Sequence, residues 1–123
     1  FVLLGDPNAS SEEGDARRDS ITELLTHPRV QQQLLPTSEG GRANRAANPS
    51  GPTHTAVWAM RADYVIPSQA GWRVVDAGVF WPTLDDDLYR LVRDRRASSD
   101  HRLVWVDLEL DSLSAGTRPT RHP

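Results

Sequence analysis

Apolar residues in this chain come in short runs whose spacing changes from one run to the next. Residues 1–5 form a continuous apolar run closed by Gly5, which predicts a short buried strand. Residues 6–18 are rich in Gly, Pro, Asn and Ser and predict a loop. Ser20 with Glu23 three positions on matches a capping box, and Ile21, Leu24 and Leu25 supply the apolar stripe of a short helix. Pro28 interrupts it, and a second turn is expected over residues 30–35. Residues 37–52 are polar and Gly-rich and predict a long surface loop. Residues 53–58 and 63–67 read as strands around a bend at 59–62, and residues 72–81, aromatic and β-branched, as another. Leu84, Leu88, Leu91 and Val92 recur at helical spacing and predict a helix over 84–95. Its acidic start (Asp85, Asp86, Asp87) and basic end complement the helix dipole, a solvated face rather than a Ca²⁺ loop. Residues 102–110 are apolar on both faces, which suits a strand covered on both sides.

This order predicts an α+β fold of mostly antiparallel strands with flanking helices. We expect one domain over residues 1–110 and a tail without fixed structure over 111–123. The first residue, Phe1, lies inside an apolar run and is not Met, as in a fragment or a processed product.

Charge and composition narrow the chemistry. The net charge is −3, so a nonspecific nucleic-acid coat is not expected. A phosphate-ester substrate stays compatible, because a bound divalent cation supplies local positive charge. All 14 basic residues are Arg. The chain has no Cys, which excludes disulfide and thiolate chemistry. No apolar run approaches the roughly 20 residues of a membrane span, and no signal-peptide pattern is present.

Three segments carry candidate chemistry: LLGDPN (3–8), RADYVIPS (61–68) and SDHRLVWVDL (99–108). Hydrolysis of a phosphate ester needs a deprotonated, aimed water and neutralisation of the charge that develops on the phosphoryl oxygens. His101 is the candidate base. Asp63, inside an apolar run, needs a partner, and His101 can be it. Asp6 and Asn8, two positions apart, face one cleft if the segment is extended. The four Trp are expected in the core, and His54 on a surface strand. Arg61 and Arg102 flank the key acids, as phosphate contacts or as surface charges.

These segments in this order, with THTAVW, VVDAGVFWP and RLVWVDLEL around them, resemble the C-terminal half of the endonuclease/exonuclease/phosphatase superfamily, which includes deoxyribonuclease I. The resemblance covers residues 1 to 110 and is closest to bacterial members. It implies a two-sheet sandwich with helices outside, of which this chain builds half. It implies metal-dependent hydrolysis of phosphate mono- or diesters. In that scheme Asp63 orients His101, Asp6 positions the attacking water or helps at the metal, and Asn8 donates its amide to a phosphoryl oxygen. Asp100 and Asp6 lie at the metal, Mg²⁺ or else Mn²⁺ or Ca²⁺. Pro7 departs from the apolar or aromatic residue usual between Asp6 and Asn8. The family's main metal-binding Glu, its neighbouring Asn and a phosphate-contacting His belong to the first half. The expected partners are therefore a phosphate-ester substrate, the missing N-terminal half, and a second copy of the chain through an exposed sheet face. Nucleic acid is permitted but not indicated by any basic stripe, and no membrane is expected. The fragment alone is expected to be inactive. The rival expectation is a noncatalytic binding or scaffold module. The bacterial resemblance points to an exported protein, secreted or periplasmic.

Overall fold

A computed structural model describes residues 1–14 and 18–111. Its elements are β1 (Val2–Gly5), α1 (Arg18–Thr26), α2 (Glu39–Asn44), β2 (Tyr64–Pro67), β3 (Trp72–Phe80) and β4 (Leu103–Leu110), with 3-10 turns at Gly51–Thr53 and Asp87–Leu91. β1 pairs antiparallel with β2, Leu3 opposite Ile66 and Gly5 opposite Tyr64. β3 pairs antiparallel with β4, Gly78 opposite Trp105, with a bulge between Val74 and Asp76. The two pairs are separate sheets that meet where β2 approaches β4. The α+β class expected from the pattern is the one observed.

Burying one stripe of α1 on β2 creates the main core. Ile21 from α1 packs with Tyr64 and Ile66 from β2 and with Val30, and Ala9, Leu24 and Leu25 close over them. The helix starts at Arg18, so Ser20 sits inside its first turn instead of capping it. It ends before Pro28, where the His27 Nδ1 accepts from the Arg29 N–H at 3.2 Å. Residues 30–35 form no second turn. Val30 bridges Ser68 instead, and the Gln31 amide donates to the carbonyls of Ser68 (2.8 Å) and Trp72 (3.0 Å). A buried amide thus joins β2 to β3.

Three more expectations are corrected. The stretch 37–52 contains α2, capped by Ser38, whose hydroxyl accepts from the Gly41 N–H at 3.0 Å. Its glycines read as loop formers but serve close packing: a Cβ on Gly40 would lie 2.1 Å from the Trp81 carbonyl oxygen. Residues 53–58 are not a strand. After the 3-10 turn, Ala56 forms bridges to Met60 on one side and His101 on the other, around a turn with Ala59 at φ +70°.

The third correction concerns 84–95, which is a 3-10 turn with loops and not an α-helix. Its acids satisfy local groups instead: Asp85 accepts from the Thr83 hydroxyl, Asp86 from the Leu88 N–H, and Asp94 from the N–H groups of Arg96 and Ala97. Such side-chain bonds compete with helical ones. Arg102 then ties this segment down, donating to the carbonyls of Ser99 (2.6 Å) and Val92 (2.9 Å), with its guanidinium 5.0 Å from the Trp81 ring centre.

β4 is not covered on both faces: Leu103, Trp105 and Leu110 are exposed. Of the four Trp only Trp81 is fully in the core, whereas Trp58 and Trp105 are exposed. The expected tail at 112–123 lies outside the described residues. Among the described residues no helix is long and apolar enough to cross a membrane.

The Gly40 contact gives a direct test. Gly40→Ala forces a methyl against the Trp81 backbone and should cost about 1–3 kcal/mol, as overpacking does elsewhere. Urea unfolding of the variant beside the parent chain measures it; an unchanged midpoint would refute the packing role.

Candidate active site

The β1–β2 register assembles the site. Gly5 and Tyr64 are the last opposed pair, so the next residue on one strand, Asp6, and the preceding residue on the other, Asp63, emerge side by side at the same end. A second junction brings His101. The Arg102 N–H donates to the Thr55 carbonyl (2.7 Å), the Val57 N–H donates to the Asp100 carbonyl (3.1 Å), and Ala56 bridges His101. Ala56 and Ala62 are fully buried, and their small side chains let these segments approach.

Thr55, 1 % exposed, fixes the carboxylate. Its Oγ1 accepts from the N–H groups of Ala62 (2.9 Å) and Asp63 (3.0 Å). With those acceptor positions filled, its proton is directed to Asp63 Oδ2 at 2.6 Å. Asp63 in turn faces His101 Nδ1, at 2.9 Å from Oδ2 and 3.2 Å from Oδ1. A carboxylate only accepts, so Nδ1 carries the proton of this bond and the lone pair of the neutral ring lies on Nε2. Nε2 lies 3.8 Å from Asp6 Oδ2. One ligand-type atom from each of Asp6, Asp63 and His101 lies within 4.8 Å of the others.

Asp6 and Asn8 do not share a cleft through extended geometry. Asn8 adopts φ +48°, which Asn tolerates better than most residues, and its backbone N–H donates to Asp6 Oδ1 at 2.8 Å. Pro7, with its fixed φ, occupies the corner of this turn. The Asn8 backbone therefore holds the Asp6 carboxylate, leaving Oδ2 toward His101, while the Asn8 side chain sits in an exposed position. Asp100 stands apart from the three converging groups. Its carboxylate is paired with Arg95, whose hydrogen bond holds its pKa below the ordinary carboxylate range.

His101 shows the balance of forces. Partial burial pulls its pKa down, but the hydrogen bond and charge of Asp63, with the charges of Asp6 and Asp100, outweigh that and raise it above 6.5. Beside it stands Trp58, its ring centre 5.0 Å from the imidazole and nearly perpendicular to it. Neither Thr55 nor Trp58 was singled out by the pattern: Thr55 lies in a segment that read as an ordinary strand, and Trp58 read as core.

The remaining candidates are structural. His54 is fully buried rather than on a surface strand. Its Nε2 meets Glu13 Oε1 at 2.7 Å, and Glu13 also accepts from the Asn48 amide at 2.8 Å. This latch ties the loop following Asp6 to the 3-10 turn that precedes Thr55. Arg61 lies over the Tyr64 ring at 4.4 Å, and burial lowers its pKa. Arg102 is committed to carbonyls, whereas Arg61 makes one long bond to the Gln32 side-chain oxygen at 3.4 Å.

Replacing Asp63 by Asn removes the charge and the acceptor that raise the His101 pKa, so the ring should titrate lower, as desolvation then dominates. Histidine NMR titration reads this. A group whose folded pKa is raised contributes stability that is complete below its unfolded value and is lost as pH rises through the folded one. The stability gap between parent and Asp63→Asn should therefore narrow as pH rises from about 5.5 through the raised His101 value. A His101 titration unmoved by the substitution would refute the coupling.

Searches of curated proteins and of solved structures give no match to this chain. A family model does match. The model described as the endonuclease/exonuclease/phosphatase family covers residues 1–101, a span that holds Asp6, Thr55, Asp63 and His101 together, and the chain belongs to that family.

Proposed function

We propose that the domain to which these residues belong hydrolyses phosphate mono- or diesters by a water activated at His101. Members of the family are typically metal-dependent phosphodiesterases, nucleases or phosphatases. The observation that carries the proposal is the Thr55–Asp63–His101 chain of hydrogen bonds ending in Nε2 beside Asp6.

In this scheme His101 Nε2 takes the proton of the water while Asp63 keeps the ring in the Nδ1–H tautomer and stabilises the imidazolium. The raised pKa makes the ring a stronger base, at the cost of a higher pH for half-activation. Asp6 Oδ2 accepts from the same water and aims it. Asn8 donates to a phosphoryl oxygen, and the Asp100 charge helps to hold a proton on His101 after transfer.

The donor set fits a hard divalent cation at one place. Both Asp63 oxygens are engaged by His101 and Thr55, and Asp100 is engaged by Arg95. Asp6 keeps Oδ2 open, and Mg²⁺ is commonly held by one or two carboxylates with retained waters. Asp6 would hold the ion, Asp100 joining only if released from Arg95. The ion would supply the charge neutralisation that a chain of net charge −3 lacks. Further donors come, in this proposal, from an N-terminal half of the domain.

Exposed Leu4 (74 %), Leu103 (68 %) and Leu110 (78 %) support that half as a partner. In its absence a second copy of the chain covers part of this exposed apolar surface.

Two measurements test these statements. With the N-terminal half restored and Mg²⁺ present, hydrolysis of a phosphate mono- or diester, read as release of the alcohol, should fall about 10²–10⁴-fold in His101→Ala, the size of a general-base contribution, and vanish with EDTA. Undiminished hydrolysis in His101→Ala would refute the mechanism, and none in the intact domain would favour a binding module. Light scattering of the 123-residue chain should show dimers; a monodisperse monomer refutes the exposed-face association.

A further inference from the structure

Trp58 is the one large aromatic residue that the fold both exposes and fixes beside the candidate base. Its side chain is 43 % exposed, yet the turn that carries it is anchored on every side. Ala56 bridges Met60 and His101. The Ala59 N–H donates to the Ala56 carbonyl, and the Val57 N–H to the Asp100 carbonyl, both at 3.1 Å. The Asn44 amide donates to the Val57 carbonyl at 3.1 Å. Ala59 accepts a left-handed backbone, φ +70°, a conformation that costs a residue with a Cβ roughly 1–2 kcal/mol. Such strain persists only where the neighbouring structure over-determines it.

The result is an indole standing 5.0 Å from the His101 ring at an interplanar angle of 79°. Among the described residues no other ring and no cation packs on it. A partly exposed indole therefore stands one ring-width from the imidazole that would activate water. A phosphorus atom placed for attack near His101 would carry its ester substituent within reach of this indole. Stacking of a flat ring on an aromatic side chain contributes about 1–3 kcal/mol and is tolerant of which ring it is. A sugar or an alkyl chain gains much less there.

We propose that Trp58 is the wall of a substrate subsite that selects phosphate esters bearing a flat ring, a nucleobase or an aryl group, over esters whose substituent is only a sugar or an alkyl chain. The subsite rests on the phosphoesterase function proposed above.

The test uses the whole 123-residue chain with Mg²⁺, and three probes: adenosine 5′-monophosphate, phenyl phosphate and ribose 5-phosphate. Binding is followed by the His101 ring resonances and by the Trp58 indole N–H. All three probes should shift His101, and only the two ring-bearing ones should shift Trp58. Trp58→Ala should weaken the ring-bearing probes by roughly fivefold to 150-fold, the equivalent of one stacked ring, and leave ribose 5-phosphate unchanged. Trp58→Phe should restore most of the affinity. If all three probes shift His101 but Trp58→Ala weakens none of them, or weakens all equally, the subsite is refuted and the phosphate site stands. If no probe shifts His101, this chain holds no phosphate site and the subsite is refuted with it. Because Trp58 lies on an exposed turn, circular dichroism of both variants should match the parent; a folded Trp58→Ala chain that binds the ring-bearing probes as the parent does refutes the subsite directly.

Discussion

One buried hydroxyl organises this structure. Thr55 Oγ1 takes two backbone N–H groups and gives its own proton to Asp63. A buried N–H left without a partner costs about 1–3 kcal/mol, so this arrangement satisfies two donors that the turn into β2 would otherwise strand. It also determines which oxygen of Asp63 is fixed, and through it the tautomer of His101. The same atom thus serves the backbone and the chemistry. The junction between 55–57 and 100–102 has no function of its own except to bring the third member to the first two.

Electrostatics at the site is a contest between burial and charge, and charge wins at His101. Three carboxylates act on one half-buried imidazole. Asp63 acts by direct contact, Asp6 across 3.8 Å, and Asp100 from a position where Arg95 has taken its hydrogen bonds. Pairing Asp100 with an exposed arginine offsets part of its charge. The buried Arg102 spends its donors on carbonyls and its face on Trp81, and the half-buried Arg61 lies over Tyr64.

β1 to β4 and the three converging segments were legible because their signals are local: aromatic and β-branched residues at β3, an apolar run at β4, an acid inside an apolar run at Asp63, a polar start to β4 at Asp100 and His101. α1 was legible from Ile21, Leu24 and Leu25. What was not legible depends on distant partners. Gly40 and Gly41 look like loop residues until Trp81 and Gly51 are seen against them. Leu84, Leu88 and Leu91 have helical spacing, but Asp85, Asp86 and Asp94 bond their own neighbours more readily than they tolerate a helix. His54 could not be placed without Glu13, forty-one residues earlier. Thr55 and Trp58 carried no pattern because their importance comes from what lies beside them and not from their spacing.

The latch of His54, Glu13 and Asn48 bears on when this site can exist. Its members are 35 and 41 residues apart, and Asp63 and His101 are separated by 38. Closing loops of that length precedes any reward from the contacts they make. α1 can form from neighbouring residues, but the cleft has to wait until three distant stretches of chain have met. Its residues acquire their shared environment only when those contacts close, and a chain that holds α1 without them has Asp63 and His101 apart. The cleft is thus a property of the closed fold and not of any one segment.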